Sequence, residues 1–441
     1  MKKERGERHL TMETVKLLIN KNRLERMIDE LGQFGLNDKG GLDRTTFTDQ
    51  ELMARDWLKD ELSKINLELH IDAAANIWGR RPGTVQHLPS IVFGSHIDTV
   101  PNGGKYDGAL GVLIALEIMK VLQENHIQTR HPLELVSFSA EEPNPFGLST
   151  FGSRAVTGKI KSSDLEDVRD GNGQLLTEAL KSAGGDPERF ESAVRNKKEL
   201  SAYLEVHIEQ GKRLLNRNIP IGIVTGITGI YREKIIVQGT SNHAGTTIMT
   251  DRQDALAATS EIILFIEKIC RNHPSEETVG TIGQLDVFPN ALNIIPGTCE
   301  LFLEIRGSTE QEMKDLIQQL GPFFEDVSRR RNIRLERKII LNQKPVDMDE
   351  IVIDTISNQV NGLQIPFYLL GSMAGHDATH MASITKAGMI FVPSIDGKSH
   401  CPEEKSRMED IEKAANAMLY TILELDKILD NENRGMENGT L

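Results

Sequence analysis

Residues 91–111 read IVFGSHIDTVPNGGKYDGALG. The apolar run Ile91–Phe93 ends in Gly94-Ser95-His96-Ile97-Asp98, a Gly-rich loop follows, and a long apolar segment begins after Asp107. Strand, loop, helix is the order this predicts, with His96 at the C-terminal end of a buried strand and Asp107 at the N-cap of a helix. An imidazole and a carboxylate then meet at one sheet edge, where open α/β sheets hold ligands and metals. Asp98 is placed to accept the proton of the imidazole nitrogen turned away from such a metal. A lone His-x-Asp is more often a buried histidine bonded to its neighbour, so the rest of the chain must decide.

Upstream, residues 12–32 and 48–65 carry helical apolar spacing, and Leu67–Ile71 and Asn76–Arg80 read as short strands. Residues 107–124 are apolar on nearly every face, as a helix buried on all sides would be. Leu133–Phe138 is a strand that runs into Glu141-Glu142. Successive side chains on an extended backbone diverge, so these carboxylates aim at different targets, one at a metal and one at a water. After a polar excursion over 161–200, AYLEVHIEQG at 202–211 repeats the strand-end placement with His207. Further on come a helix over 350–361, strands at 367–370 and 389–392, Ser399-His400-Cys401-Pro402-Glu403-Glu404, and a last helix over 408–429. Between them, residues 221–341 follow a β-α-β-β-α-β order, the split-βαβ pattern of a small antiparallel sheet with helices on one face. The expected fold class is therefore α/β. A mixed-sheet domain is expected over 1–216 and 344–441, interrupted by an α+β insert over 217–343.

Size and charge agree. A chain of 441 residues is too long for one core. Its net charge of −14 argues against nucleic acid or an anionic membrane as the main partner. No apolar run reaches the ~20 residues of a membrane span. The N-terminus lacks the apolar stretch of a signal peptide. Three scattered cysteines, Cys270, Cys299 and Cys401, form no disulfide framework and fit a cytoplasmic setting.

Five candidate ligands thus stand at strand ends: His96, Asp107, Glu142, His207 and His400. Three imidazoles and two carboxylates suit two divalent first-row ions, zinc first, with manganese, cobalt or nickel as alternatives. Ions roughly 4 Å apart need a bridging ligand, and a carboxylate can bridge where a histidine cannot. Asp107 is the expected bridge, with His96 and His207 on one ion and Glu142 and His400 on the other. A water shared by the ions becomes acidic, and Glu141, not itself a ligand, is positioned as its base. The chemistry is hydrolysis of an amide-like bond.

These residues carry a resemblance. His96-Ile97-Asp98, the Gly-Gly-Lys-Tyr-Asp107-Gly loop, Glu141-Glu142, His207-Ile208-Glu209-Gln210-Gly211 and the late His400 resemble the M20 family of dinuclear metallohydrolases, from about Leu31 to Leu425. The similarity is greater to its amidase branch of N-carbamoyl-L-amino-acid hydrolases, allantoate amidohydrolases and β-ureidopropionases. His207 resembles this branch, whereas peptidase relatives tend to use a carboxylate there. The resemblance implies a zinc-hydrolase catalytic domain and a small carbamoyl or ureido substrate, and the ferredoxin-like lid is expected to support a homodimer because its exposed sheet edge and helix face need cover. It implies that His243, in Ser241-Asn242-His243-Ala244-Gly245, polarises the scissile carbonyl. It also implies that Asn293 and Arg306 clamp a substrate carboxylate, and that Gln210 and His376 touch the substrate. Pro143-Asn144-Pro145-Phe146-Gly147 departs from the Gly-containing segment of better-known members and leaves the exact substrate open. Alternatives on the same scaffold are a deformylase of an N-formyl amine and a dipeptidase or aminoacylase. A binding protein that kept only the fold is a third. His9, His70, His87, His126, His131, His273 and His380 fall outside any motif and read as surface or structural.

Overall fold

The structure is a computed structural model that describes residues 17–438 apart from Gln86. The start of the helix expected over 12–32 lies outside the described residues; the helix itself is Lys21–Leu31. Strands in chain order are β1 (Glu68–Ile71), β2 (Ile77–Arg81), β3 (Ser90–His96), β4 (Leu133–Phe138), β5 (Leu200–Ile208), β6 (Ile221–Ile227), β7 (Gly229–Gln238), β8 (Val279–Phe288), β9 (Thr298–Gly307), β10 (Arg334–Gln343), β11 (Val346–Asp347), β12 (Phe367–Ser372) and β13 (Lys386–Val392). They form two sheets.

The large sheet runs β1-β2-β4-β3-β5-β13-β6-β11, with β12 also on β6. Its centre, β4-β3-β5-β13, is parallel. The carboxyl ends of these four strands therefore share one edge, and His96, Glu141-Glu142, His207 and the segment leading to His400 all leave from it. Strands β3 and β4 are buried throughout, as a sheet covered on both faces requires. One cover is the helix Ala109–Glu124, buried at every position from Ala109 to Met119.

Two expectations need correction. Asp107 is not the N-cap. Gly108 holds that place at φ 62°, and no side chain caps the helix. The left-handed turn carries the chain past His96 so closely that a Cβ at Gly108 would lie 2.2 Å from the imidazole. Asp107 sits just before this turn and keeps its carboxylate for the site. The insert also begins later than residue 217, because β6 pairs with β13 and β12 in the large sheet. Its alternating Gly, Ile and Val residues serve a buried strand in either domain, so pattern alone could not assign it.

The second sheet is antiparallel in the order β10-β7-β9-β8. With the helices Ala255–Arg271 and Glu310–Arg331 it gives the β-α-β-β-α-β lid expected. Alternate residues of β9 are buried, and Leu301, Leu303 and Ile305 pack with Ile262 and Leu316 in a core of their own. None of the described helices is long and apolar enough to cross a membrane.

Candidate metal centre and substrate cavity

The five expected ligands converge. His207 Nε2 lies 3.1 Å and His96 Nε2 3.7 Å from Asp107 Oδ1. On the other side, His400 Nε2 lies 3.4 Å from Asp107 Oδ2 and 3.2 Å from Glu142 Oε1. Among the described residues, His96, Asp107 and His207 form one group able to hold an ion, and Asp107, Glu142 and His400 another, with donor atoms within 4.8 Å of one another in each. Asp107 is common to both.

The electrostatics fit a cation. Burial alone would raise the Asp107 carboxyl, yet the imidazoles of His207, His400 and His96 hold it well below the usual carboxylate range. Hydrogen bonds to Asp107 and Glu142 push His400 up to about 11, so two carboxylates here already demand positive charge. Gln210 Oε1 is buried without a hydrogen-bond partner. Three imidazole nitrogens and two carboxylates match the donors that divalent zinc prefers.

Glu141 stands apart from both ligand groups. Its Oε2 is 3.5 Å from His96 Nε2, and burial, reinforced by Glu142 and Asp377, pushes its carboxyl well above the usual range. It lines a cavity of about 250 Å³ between the large sheet and the lid, together with Asp107, Glu142, His207, Gln210, Arg306 and His376.

Asp98 does more than the sequence indicated. The near bond from His96 Nδ1 goes to the Asp98 carbonyl oxygen at 3.1 Å, while the carboxylate is 3.5 Å away. That carboxylate accepts the Thr46 hydroxyl at 2.8 Å and the backbone N–H groups of Glu141 and Glu142 at 3.2 and 3.1 Å. One buried residue thus positions His96, the candidate base Glu141 and Glu142 together. Burial works to raise its pKa, but the His96 imidazole and these donors hold it below the usual range.

Other expected contacts divide. Gln210 lines the cavity but spends its amide on Asp107 Oδ2, at 2.7 Å, and on Ser399 Oγ at 3.2 Å. His376 is buried with its ring 4.5 Å from that of His207, and Nε2 is 2.9 Å from Ser372 Oγ. Burial and the nearby His207 push it well below an ordinary histidine. With Glu205 and His207 it forms a third group of possible ligands. Arg306 reaches the cavity from β9 and donates to the Met373 carbonyl at 2.6 Å and Glu304 at 2.7 Å. His243 and Asn293 do not line this cavity. They are exposed on the lid, where Ala244 N–H donates to the Asn293 carbonyl at 2.9 Å.

Sequence reasoning missed Glu404 and Ser399. Glu404 Oε1 accepts the N–H groups of Tyr106 and Asp107 at 2.9 and 3.0 Å, and Oε2 accepts that of His400 at 3.3 Å. Ser399 donates to Asp107 Oδ2 at 2.7 Å. The available signal was the crowding of Ser399, Glu403 and Glu404 around His400.

The family description Peptidase family M20/M25/M40 matches residues 92–424. The chain belongs to this family. The M20 chain is 38% identical over 408 residues to an N-carbamoyl-L-amino acid amidohydrolase of Geobacillus stearothermophilus, covering 92% of this chain and 99% of that one. It is 35% identical over 416 residues to an allantoate amidohydrolase of Bacillus subtilis, covering 94% and 100%. Among solved structures, a hydantoinase/carbamoylase family amidase from Burkholderia multivorans superposes with a TM-score of 0.87 at 29% identity, covering 93% of this chain and 98% of that one.

Proposed function

We propose that the M20 chain hydrolyses the C–N bond of a carbamoyl or ureido group on a small carboxylated molecule, such as an N-carbamoyl-L-amino acid or allantoate. The observation that carries this reading is the pair of ligand groups sharing Asp107, with the non-ligand Glu141 on the same cavity wall. The names of the two curated relatives support the substrate class.

His96, Asp107 and His207 would hold one divalent ion, and Asp107, Glu142 and His400 a second, zinc being preferred for this donor set. Such ions, when bound, supply Lewis acidity towards water and a carbonyl oxygen. Glu141 takes the proton of the attacking water as its oxygen bonds the carbonyl carbon, and returns it to the leaving nitrogen. Gln210 and Ser399 steady Asp107 through Oδ2. Arg306 offers a planar guanidinium for the substrate carboxylate. His243 serves as the carbonyl-oxygen donor and Asn293 as a carboxylate contact. Because both lie off the cavity, lid movement or a second copy must bring them in. The long open edge of β8 supports a homodimer through the lid. Three free cysteines support a cytoplasmic setting.

The test is a panel of N-carbamoyl, N-formyl and N-acetyl amino acids with allantoate and dipeptides. It is run on chelated protein reloaded with zinc, manganese or cobalt. Metal-dependent ammonia release from carbamoyl or ureido substrates is expected. Cleavage confined to formyl, acetyl or peptide substrates, or carbamoyl turnover by the fully chelated protein, would refute it.

A further inference from the structure

The catalytic-domain wall of the cavity contains a residue in an unusual state. Thr150 lines the cavity beside Glu141, Glu142, Pro143 and Ser149. Its backbone is left-handed, at φ 47° and ψ 34°. A β-branched residue avoids this conformation, and such strain persists where surrounding contacts over-determine it. Here they do. The Thr150 N–H donates to the Glu141 carbonyl at 2.7 Å, and the side chain is gripped by His380.

The direction of that grip follows from chemistry. Lys159 Nζ lies 3.2 Å from His380 Nδ1. An ammonium has only protons to give, so Nδ1 accepts, and a neutral His380 must carry its proton on Nε2. Burial, aided by Lys159 and Arg154, pushes His380 down to about 3, so it is neutral in ordinary buffers. Nε2 therefore donates to Thr150 Oγ1 at 2.9 Å. The hydroxyl is left with its own proton to offer, and gives it to the adjacent Ser149 carbonyl at 2.8 Å. A ligand in the cavity with a stronger acceptor would take that proton instead. Arg154 also reaches the Ser149 carbonyl, at 3.4 Å. Two cations thus stand behind this corner, with Asp164 the acid that acts on Arg154. Their field favours an anionic acceptor over a neutral carbonyl.

We propose that Thr150, oriented by His380 and Lys159, selects substrates carrying a second carboxylate, bound by its hydroxyl while the first goes to Arg306. This deepens the reading of the cavity as a carbamoyl-substrate site and rests on it. Thr150 is the contact; His380 and Lys159 are positioning residues.

The test uses metal-loaded protein in the wild-type, Thr150→Val, Thr150→Ser and Lys159→Met forms. Values of kcat/KM are compared for N-carbamoyl-L-aspartate and N-carbamoyl-L-glutamate against the glutamine and norleucine analogues. Calorimetry gives dissociation constants for L-aspartate, L-glutamate and L-norleucine. The wild type should prefer the better diacid derivative over norleucine by at least about tenfold, with glutamine between them, and bind the free amino acids in the same order. Thr150→Val should reduce that ratio about tenfold, Thr150→Ser should restore it, and Lys159→Met should reduce it in part. A wild type without the preference, or a valine variant that weakens diacid and norleucine compounds equally, overturns the proposal. Selective, Thr150-dependent binding without carbamoyl hydrolysis would uphold this site and sink the proposed reaction. Carbamoyl hydrolysis without the selectivity would do the reverse.

Discussion

Asp98→Asn tests the site's organisation more sharply than removal of a ligand. Asp98 is 1% exposed, and its two oxygens accept the Thr46 hydroxyl and the amides of Glu141 and Glu142. Asparagine has the same shape but one acceptor oxygen. With its oxygen in the Oδ2 position, Thr46 and Glu142 keep their partner and the Glu141 N–H faces an NH2 group. With the amide reversed, Glu141 keeps its partner and the Glu142 N–H is orphaned. Either way one buried backbone donor loses its acceptor, at about 1–3 kcal/mol, and the remaining bonds fall from charged to neutral strength. The expected loss is about 3 kcal/mol of stability. If His96 and Glu142 hold the proposed ions, divalent-metal affinity should fall by about 10- to 100-fold. Urea unfolding and competition with a chromophoric chelator measure the two effects. The sign with pH is fixed. The Asp98 carboxyl is depressed in the folded state, so its stabilisation is present above the unfolded value near 3.9 and is lost as pH falls through the lower folded value. The gap between wild type and variant should therefore close in acid. An asparagine variant that unfolds within about 0.5 kcal/mol of wild type at pH 7 and holds metal equally well would refute the reasoning.

Glu141→Gln keeps the volume and the N–H bond to Asp98 but removes the proton acceptor. It should lower kcat by about 10²- to 10⁴-fold with metal content unchanged by elemental analysis, and undiminished turnover would remove Glu141 as the base. His380 gives a pH signature in stability. Folded, it titrates near 3, whereas a free histidine titrates near 6.5, so the unfolded chain binds the extra proton between those values. Stability should fall as pH drops from about 6.5 towards 3. His380→Gln should flatten the change between pH 7 and pH 5 by about 1–2 kcal/mol in urea melts, and an unaltered slope would show that His380 is not held neutral.

The convergence of the candidate ligands was legible because parallel strands deliver whatever follows them to one edge. His96, Glu142 and His207 each close an apolar run, and that pattern survives in sequence without any knowledge of neighbours. Asp107 joins both candidate groups, but the N-cap role the sequence suggested for it does not hold. A helix start was visible, but the turn at Gly108 that frees the carboxylate depends on how closely His96 approaches, which no spacing encodes. The lid's strand and helix order was legible from its period, whereas the assignment of β6 was not, since its apolar run fits either sheet. Thr150, Ser399 and Glu404 stayed hidden for a common cause. Each acts through hydrogen bonds to residues remote in sequence: Thr150 to His380, Ser399 and Glu404 to Asp107. Ser and Thr in loops are too frequent to single out. What identifies them is convergence on one buried residue, Asp107, or one cavity wall, so polar residues flanking a ligand motif merit substitution alongside the candidate ligands themselves.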